Sequence, residues 1–253
     1  MRVSVLSSGS KGNCTYVETL NHKILIDIGT SSMYVEKCLK SIGVNPADID
    51  IILITHAHID HVAGLKVFAK KYNPLVYMSK KIQNEAKLNI GNVSSEEDIS
   101  VISDISIKSF KLSHDVTDIK GYIIEEGKKS MVYITDTGYI NEKNFDYIKN
   151  KNLYVFESNH DVEMLMNNPK YPHQTKIRIL SDKGHLSNKD SAYYLSKIVG
   201  NNTKYIILAH LSEQNNTDKL ARMTLENYFQ SKNIDIPKIA IAKQNEMSRI
   251  FEI

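Results

Sequence analysis

The residues Thr55-His56-Ala57-His58-Ile59-Asp60-His61 follow directly on the apolar run Ile51-Ile52-Leu53-Ile54. That run has the length of a strand and is apolar on both faces, as a buried strand must be. Four side chains that bind divalent cations well, His56, His58, Asp60 and His61, then fall within six positions. Neutral imidazole and carboxylate are the nitrogen and oxygen donors that first-row metals favour. One ion cannot easily take all four from so short a loop. The spacing divides them, with His56 and His58 toward one ion and Asp60 and His61 toward its neighbour. Two ions about 3.5–4 Å apart can clamp both the attacking and the leaving oxygen of a hydrolysis. The plain alternative is a solvated polar loop, but nine histidines in 253 residues make this density hard to meet by accident.

Two ions need more donors, and three stand at the ends of expected strands. His114 follows Phe110-Lys111-Leu112-Ser113, Asp136 ends Met131-Val132-Tyr133-Ile134-Thr135, and His210 follows Ile206-Ile207-Leu208-Ala209. Each alone reads as an ordinary polar residue. Together they share one context, an apolar strand delivering a donor at its C-terminal edge, where α/β sheets build sites.

Around these anchors the pattern predicts strands at 3–6, 14–19, 23–28 and 51–54, a helix at 31–42, and helices near 62–72 and 80–88. Strands fill 105–135, with Glu125-Glu126-Gly127-Lys128 as a hairpin turn. Strands at 153–156, 205–208, 239–242 and 248–251 alternate with helices at 188–199 and 218–231. Both kinds of element throughout give an α/β (α+β) class. No linker or shift of composition breaks the chain, so residues 1–253 are expected to form a single domain.

Hydrophobic residues at 42% and charged residues at 24% are ordinary for a globular protein. The net charge of +3 excludes an arginine-rich tail or an acidic disordered chain. A nucleic-acid binder of this composition must gather its cations locally. Lys70-Lys71, Lys80-Lys81 and Lys128-Lys129 read as solvated faces, whereas Lys176, Arg178 and Lys183 lie just before His185 and form the candidate strand-tracking surface. Cys14 and Cys38 make no zinc clip and no disulfide framework. Val3 to Leu6 is too short for a signal-peptide core, and no run of about 18 apolar residues exists, so a cytoplasmic protein without a membrane span is expected. Ser8, Ser10, Lys11 and Asn13 form a polar, glycine-containing loop whose amides and lysine can receive a phosphate; a plain turn is the alternative.

At the quoted residues the chain resembles the metallo-β-lactamase superfamily, whose signature His56-x-His58-x-Asp60-His61 matches. The resemblance implies an αββα sandwich with the site on one edge. It implies His114, Asp136 and His210 as the remaining metal ligands, Asp136 bridging, and Asp27 as a support for the metal loop. Ser7 to Cys14, Glu157 to Asp161, Lys183 to Asn188 and Ala209 to Asn216 further resemble the bacterial YycJ/WalJ group, regarded as 5′→3′ DNA exonucleases using Mn²⁺ or a similar ion. On that footing two ions would hold a bridging water and lower its pKa. The hydroxide formed would attack phosphorus, with Asp60 orienting or deprotonating the water. The resemblance places His185 beside the scissile group, to stabilise the phosphoryl oxygen or protonate the leaving oxygen. Asn188 is expected to cap the helix that follows.

Three imidazoles and a carboxylate suit Zn²⁺ at the first site; two carboxylates and two imidazoles admit Mn²⁺ or Fe²⁺ at the second. His160 stays open between a support for the site and a helix-start residue beside Asp161. Asp115 is a candidate hydrogen-bond partner for a ligand histidine, and His22 and His173 read as structural or solvent-exposed. The competing functions are a small-molecule metallo-hydrolase of thioesters, lactones or cyclic phosphodiesters, an RNA-processing nuclease, and a non-catalytic metal-binding protein. The stretch between Asp136 and His210 leaves little room for the inserted domain that many RNA-processing relatives carry.

Overall fold

The computed structural model describes residues 1–95 and 104–253. In the first sheet, β1 (Arg2–Ser7), β2 (Cys14–Glu18) and β3 (Lys23–Ile26) run antiparallel, and β4 (Ile51–Leu53), β5 (Leu75–Tyr77) and β6 (Val93–Ser94) then add in parallel. The second sheet repeats this plan. Its antiparallel strands are β7 (Ile105–Lys111), β8 (Lys120–Glu126) and β9 (Lys129–Ile134), followed in parallel by β10 (Leu153–Glu157), β11 (Tyr205–Ala209) and β12 (Lys238–Ile241). A short β13 (Phe251–Glu252) returns to the edge of the first sheet beside β1.

The helices are α1 (Ser32–Ser41), α2 (Ile59–Val62), α3 (Leu65–Tyr72), α4 (Lys80–Glu85), α5 (Phe145–Ile148), α6 (Val162–Asn167), α7 (His173–Leu180), α8 (Asn188–Ile198) and α9 (Asp218–Ser231). Strand alternation sorts the core. Ile24, Ile26, Ile51 and Leu53 face Tyr133, Leu153, Val155 and Ile207 between the sheets. Their neighbours Leu25, Ile52 and Ile54 pack outward on Val35 and Leu39 of α1 and Phe68 of α3. On the other side Tyr154, Phe156, Ile206 and Leu208 pack on Leu195 of α8 and Leu225 and Phe229 of α9. Strands apolar on both faces are therefore sandwiched, and the layers read αββα.

The strand ends are flush where the site is built. Phe156 pairs with Ile134 on one side and Leu208 on the other, and Leu53 pairs with Ile26 and Tyr77. The tight turn between β8 and β9 is Gly127-Lys128, with Gly127 at φ 57°; such a turn needs positive φ. Several expected boundaries move. The strand expected to run to Ile28 stops at Ile26, because Asp27 turns into the left-handed region at φ 60°. The helix expected at 62–72 begins as α3 only after a break at Gly64, where a Cβ would lie 2.1 Å from Thr30 O. The strand expected at 248–251 narrows to β13, since the Ser248 hydroxyl instead accepts from Val5 N at 2.9 Å. β5, β6, α5, α6 and α7 have no counterpart in the sequence pattern. Among the described residues no helix is long and apolar enough to cross a membrane.

Candidate metal centre

All seven sequence-derived donors meet along the seam between the sheets. His56, His58 and His114 form one group; Asp60, His61, Asp136 and His210 form a second, with ligand atoms within 4.8 Å of one another in each. A third grouping of the same kind adds Glu157 and His185 to Asp136 and His210. His56, His61, His114, Asp136 and His210 are buried, whereas His58, Asp60 and His185 are partly exposed and mark the open side.

The loop after β4 is held from beneath. Asp27 is fully buried; its Oδ1 accepts from Thr55 N at 2.8 Å, and its Oδ2 accepts from Thr55 Oγ1 at 2.8 Å and from His61 Nδ1 at 2.7 Å. That bond fixes the tautomer and turns His61 Nε2 into the site, 3.0 Å from Asp136 Oδ2. Burial raises the Asp27 pKa against the opposing pull of His61. His114 is fixed likewise, Nδ1 donating to Gly184 O at 3.0 Å.

Asp27, Asp136 and His210 share a backbone device. Each follows a strand, β3, β9 or β11, and each is left-handed, at φ 60°, 59° and 56°. Apart from glycine, the other described residues with positive φ follow helices. A non-glycine residue held there costs roughly 1–2 kcal/mol, and such strain gathers at functional sites.

Glu157, at the end of β10, is the residue that sequence reasoning left without a role. It is buried, and its Oε1 accepts from His185 Nδ1 at 2.7 Å and His210 Nδ1 at 3.2 Å. Its Oε2 accepts from Thr137 N at 2.9 Å. One carboxylate thus aims two imidazoles. Burial would raise its pKa, but His185 and His210 hold it down at about 2. Its signal in the sequence was its place directly after Leu153-Tyr154-Val155-Phe156, the same context that marked His114 and His210.

The centre's own charges ask for cations. Burial pushes His61 and His210 down, yet Asp136 and its neighbouring carboxylates overturn that, raising His61 well above its ordinary value and His210 to about 10. Burial pushes Asp136 up, but His210 and His61 hold it well below the carboxylate range. His56 goes the other way, lowered first by burial and then by His61. His56 Nε2 and His210 Nε2 are buried and lack a hydrogen-bond partner, and Asp136 Oδ2 beside them meets only His61 Nε2. Buried donors short of partners, of imidazole and carboxylate type and aimed at common points, are the chemistry that a divalent cation satisfies.

Other expectations fare differently. Ser8 and Asn13 are buried and shape the site from behind: Ser8 Oγ accepts from His210 N at 2.8 Å, and Asn13 Nδ2 lies 3.0 Å from His61 Nε2. Ser10 and Lys11 are exposed, and the Lys11 ammonium is held by Glu213 at 2.7 Å. Asp115 approaches the inward face of its neighbour, its Oδ1 3.2 Å from His114 Nε2, while its Oδ2 accepts from Arg178 at 2.7 Å. Ser187, not Asn188, caps α8; Asn188 Oδ1 is occupied by Ser158 Oγ at 2.7 Å and Asn216 Nδ2 at 2.8 Å. Asp161 caps α6, and the buried His160 leaves both ring nitrogens without a partner. His22 is tied to Asp50 at 2.6 Å, and His173 opens the exposed helix α7.

Comparison with known proteins agrees with this architecture. The model of the metallo-beta-lactamase superfamily matches residues 8–210. The chain is 40% identical to the exodeoxyribonuclease YycJ of Bacillus anthracis over 243 residues, covering 93% of this chain and 92% of that one. It is 40% identical to the exodeoxyribonuclease WalJ of Streptococcus pneumoniae serotype 2 over 235 residues, covering 89% and 87%. The metallo-beta-lactamase fold protein YhfI from Bacillus subtilis superposes with a TM-score of 0.73 over 98% of each chain at 16% identity, a likeness of fold. The chain therefore belongs to the metallo-beta-lactamase superfamily, in the group that holds YycJ and WalJ.

Proposed function

We propose that residues 1–253 act as one hydrolase domain, a 5′→3′ DNA exonuclease that works with two divalent cations, Zn²⁺, Mn²⁺ or Fe²⁺. The observation that carries this reading is the buried, partnerless imidazole nitrogens His56 Nε2 and His210 Nε2, converging with Asp136 beside the aimed pair Glu157 and His185. The names of the two relatives at 40% identity supply the substrate. His56, His58, His114 and Asp136 would hold one cation; Asp60, His61, Asp136 and His210 would hold the other. Cations so held supply Lewis acidity and an activated water.

The chain's own groups do the rest. Asp60, on the open side, receives the proton of the attacking water. Glu157 grips His185 Nδ1, so Nε2 faces the open side and protonates the leaving oxygen. Thr137 N, donating to Glu157, keeps that carboxylate from swinging away. Arg178 at the rim, with the exposed Lys183 beyond it, receives the strand; Lys176 is tied back to Met166 O at 2.6 Å. DNA as substrate and two buried free cysteines accord with a cytoplasmic location.

The test is an incubation of metal-loaded protein with end-labelled linear duplex DNA in Mn²⁺, Zn²⁺ and Fe²⁺. Shortening from 5′ ends is expected, with closed circular DNA untouched. Asp60→Ala should lower the rate at least about a hundredfold, and His185→Ala by about 10²–10⁴. Absence of metal-dependent shortening overturns the DNA exonuclease reading.

A further inference from the structure

A cavity of about 330 Å³ is lined chiefly by Lys111, Ser113, Tyr139, Asn141, Lys143 and Asn144. Its walls are formed by the segments that carry His114 and Asp136. Ser113 immediately precedes His114, and Tyr139 lies just beyond Asp136. Ser113 N donates to Thr137 Oγ1 at 3.2 Å, and Gly138 N donates to Ser113 O at 3.0 Å. The loop leading to His185 presses on the same turn, since a Cβ on Gly138 would lie 2.3 Å from Ser181 O. Asn144 Nδ2 donates to Lys111 O at 3.1 Å and ties the two sides of the cavity together.

The chemistry of this lining is specific. Lys111 and Lys143 are exposed, and neither ammonium has an ion pair among the described residues. No acidic side chain lines the cavity. Tyr139, on the same lining, leaves 39% of its surface exposed. An open aromatic face flanked by free cations is how proteins seat an unpaired base and its phosphate. The volume lies near the lower end of small-ligand sites, about 300–1,000 Å³, which suits one nucleotide unit and excludes a duplex. A second cavity with two lysines, Lys66 and Lys70, measures about 280 Å³, but it has no aromatic lining and borders none of the site residues.

We propose that the Tyr139 cavity is a subsite for one unpaired nucleotide of the strand being cut, its base against Tyr139 and its phosphate between Lys111 and Lys143. This rests on the nuclease reading and sharpens it: the end that reaches the centre is single-stranded, opened before it is cut.

Binding separates the subsite from the activity. The probe is a short, fluorescent phosphorothioate oligothymidylate, titrated into metal-loaded protein and followed by anisotropy across a salt series. Tyr139→Leu should raise Kd about tenfold. Lys111→Ala with Lys143→Ala should flatten the salt slope by about one. Lys66→Ala with Lys70→Ala should change neither. All substituted side chains are at the surface, so the fold is kept. Wild-type affinity in both the Tyr139 and the Lys111/Lys143 variants, equal weakening by the Lys66/Lys70 pair, or no binding by the wild type would each overturn the subsite. Cleavage of end-labelled DNA, run in parallel, judges the nuclease reading separately.

Discussion

His160 shows what a single buried side chain does to the balance of the fold. It is 1% exposed, and burial is the main reason its pKa falls to about 4 from 6.5. The folded chain keeps it neutral, while the unfolded chain takes up a proton below about pH 6.5. Stability linked to His160 is therefore full above that value and is lost as pH falls toward 4. The whole loss is about 3 kcal/mol. Denaturant melts of wild type and His160→Asn from pH 7.5 to 4.5 should diverge by most of it, about 2.5 kcal/mol, with the variant showing the shallower slope; parallel curves would remove His160 from the acid response. The sequence named this residue and left it between two roles; only its surroundings show that the helix cap is Asp161. Glu157 was harder to read. It shares the strand-end context of the three outlying donors, but its role as the acceptor that aims two imidazoles emerges only when the fold sets it under His185 and His210. The seven donors were legible for the opposite reason, four of them crowded into one loop and three each ending an apolar strand.

The loop between β4 and α3 is clamped by backbone approach. Asn13 N donates to Asp60 O at 2.8 Å, and Gly29 N donates to Asn13 O at 2.8 Å. A Cβ on Gly29 would lie 1.6 Å from Asp60 O, against a main chain that cannot swing aside. Gly29→Ala should therefore cost about 3 kcal/mol or more and displace Asp60 enough to lower turnover at least tenfold. Gly91→Ala, with nothing within 4 Å of the added carbon, is the control and should stay within about 0.5 kcal/mol of wild type. Equal melting of the two variants would show that the loop is looser than its hydrogen bonds indicate. Long elements such as α8 and α9 were readable because their apolar stripe repeats over several turns. β5 was not, since three residues give no period. α7 buries none of its side chains, so no stripe existed to find. At the start of α8 the sequence points one residue late, because Ser187 and Asn188 are both good caps and only the tertiary bonds of Asn188 decide between them.

The two sheets share one plan, three antiparallel strands followed by three parallel ones, and each sheet brings half of the centre. His56, His58, Asp60 and His61 come from the first, and His114, Asp136 and His210 from the second. A cation bound between them ties the layers together, so it should stabilise the entire fold. At about a hundredfold excess over Kd the gain is roughly 2.7 kcal/mol, which for a chain of this size is about 5–10 °C in Tm. Chelation should lower the calorimetric Tm by that amount, and returning Mn²⁺ or Zn²⁺ should restore it; an unchanged Tm would mean that the donors hold no cation in solution. The charge total of +3 hid this, because histidine counts as neutral in it and the centre's carboxylates are offset by lysines and arginines elsewhere in the chain. The left-handed backbone at Asp27, Asp136 and His210 has a last consequence, for heredity. A glycine at any of the three would relax the backbone but strip a buried partner, from Thr55 and His61 at position 27, from His61 at position 136 and from Glu157 at position 210. Drift in a lineage that no longer needed the activity would therefore meet resistance from the interior itself. The packed fold, and not use alone, keeps these three residues where they are.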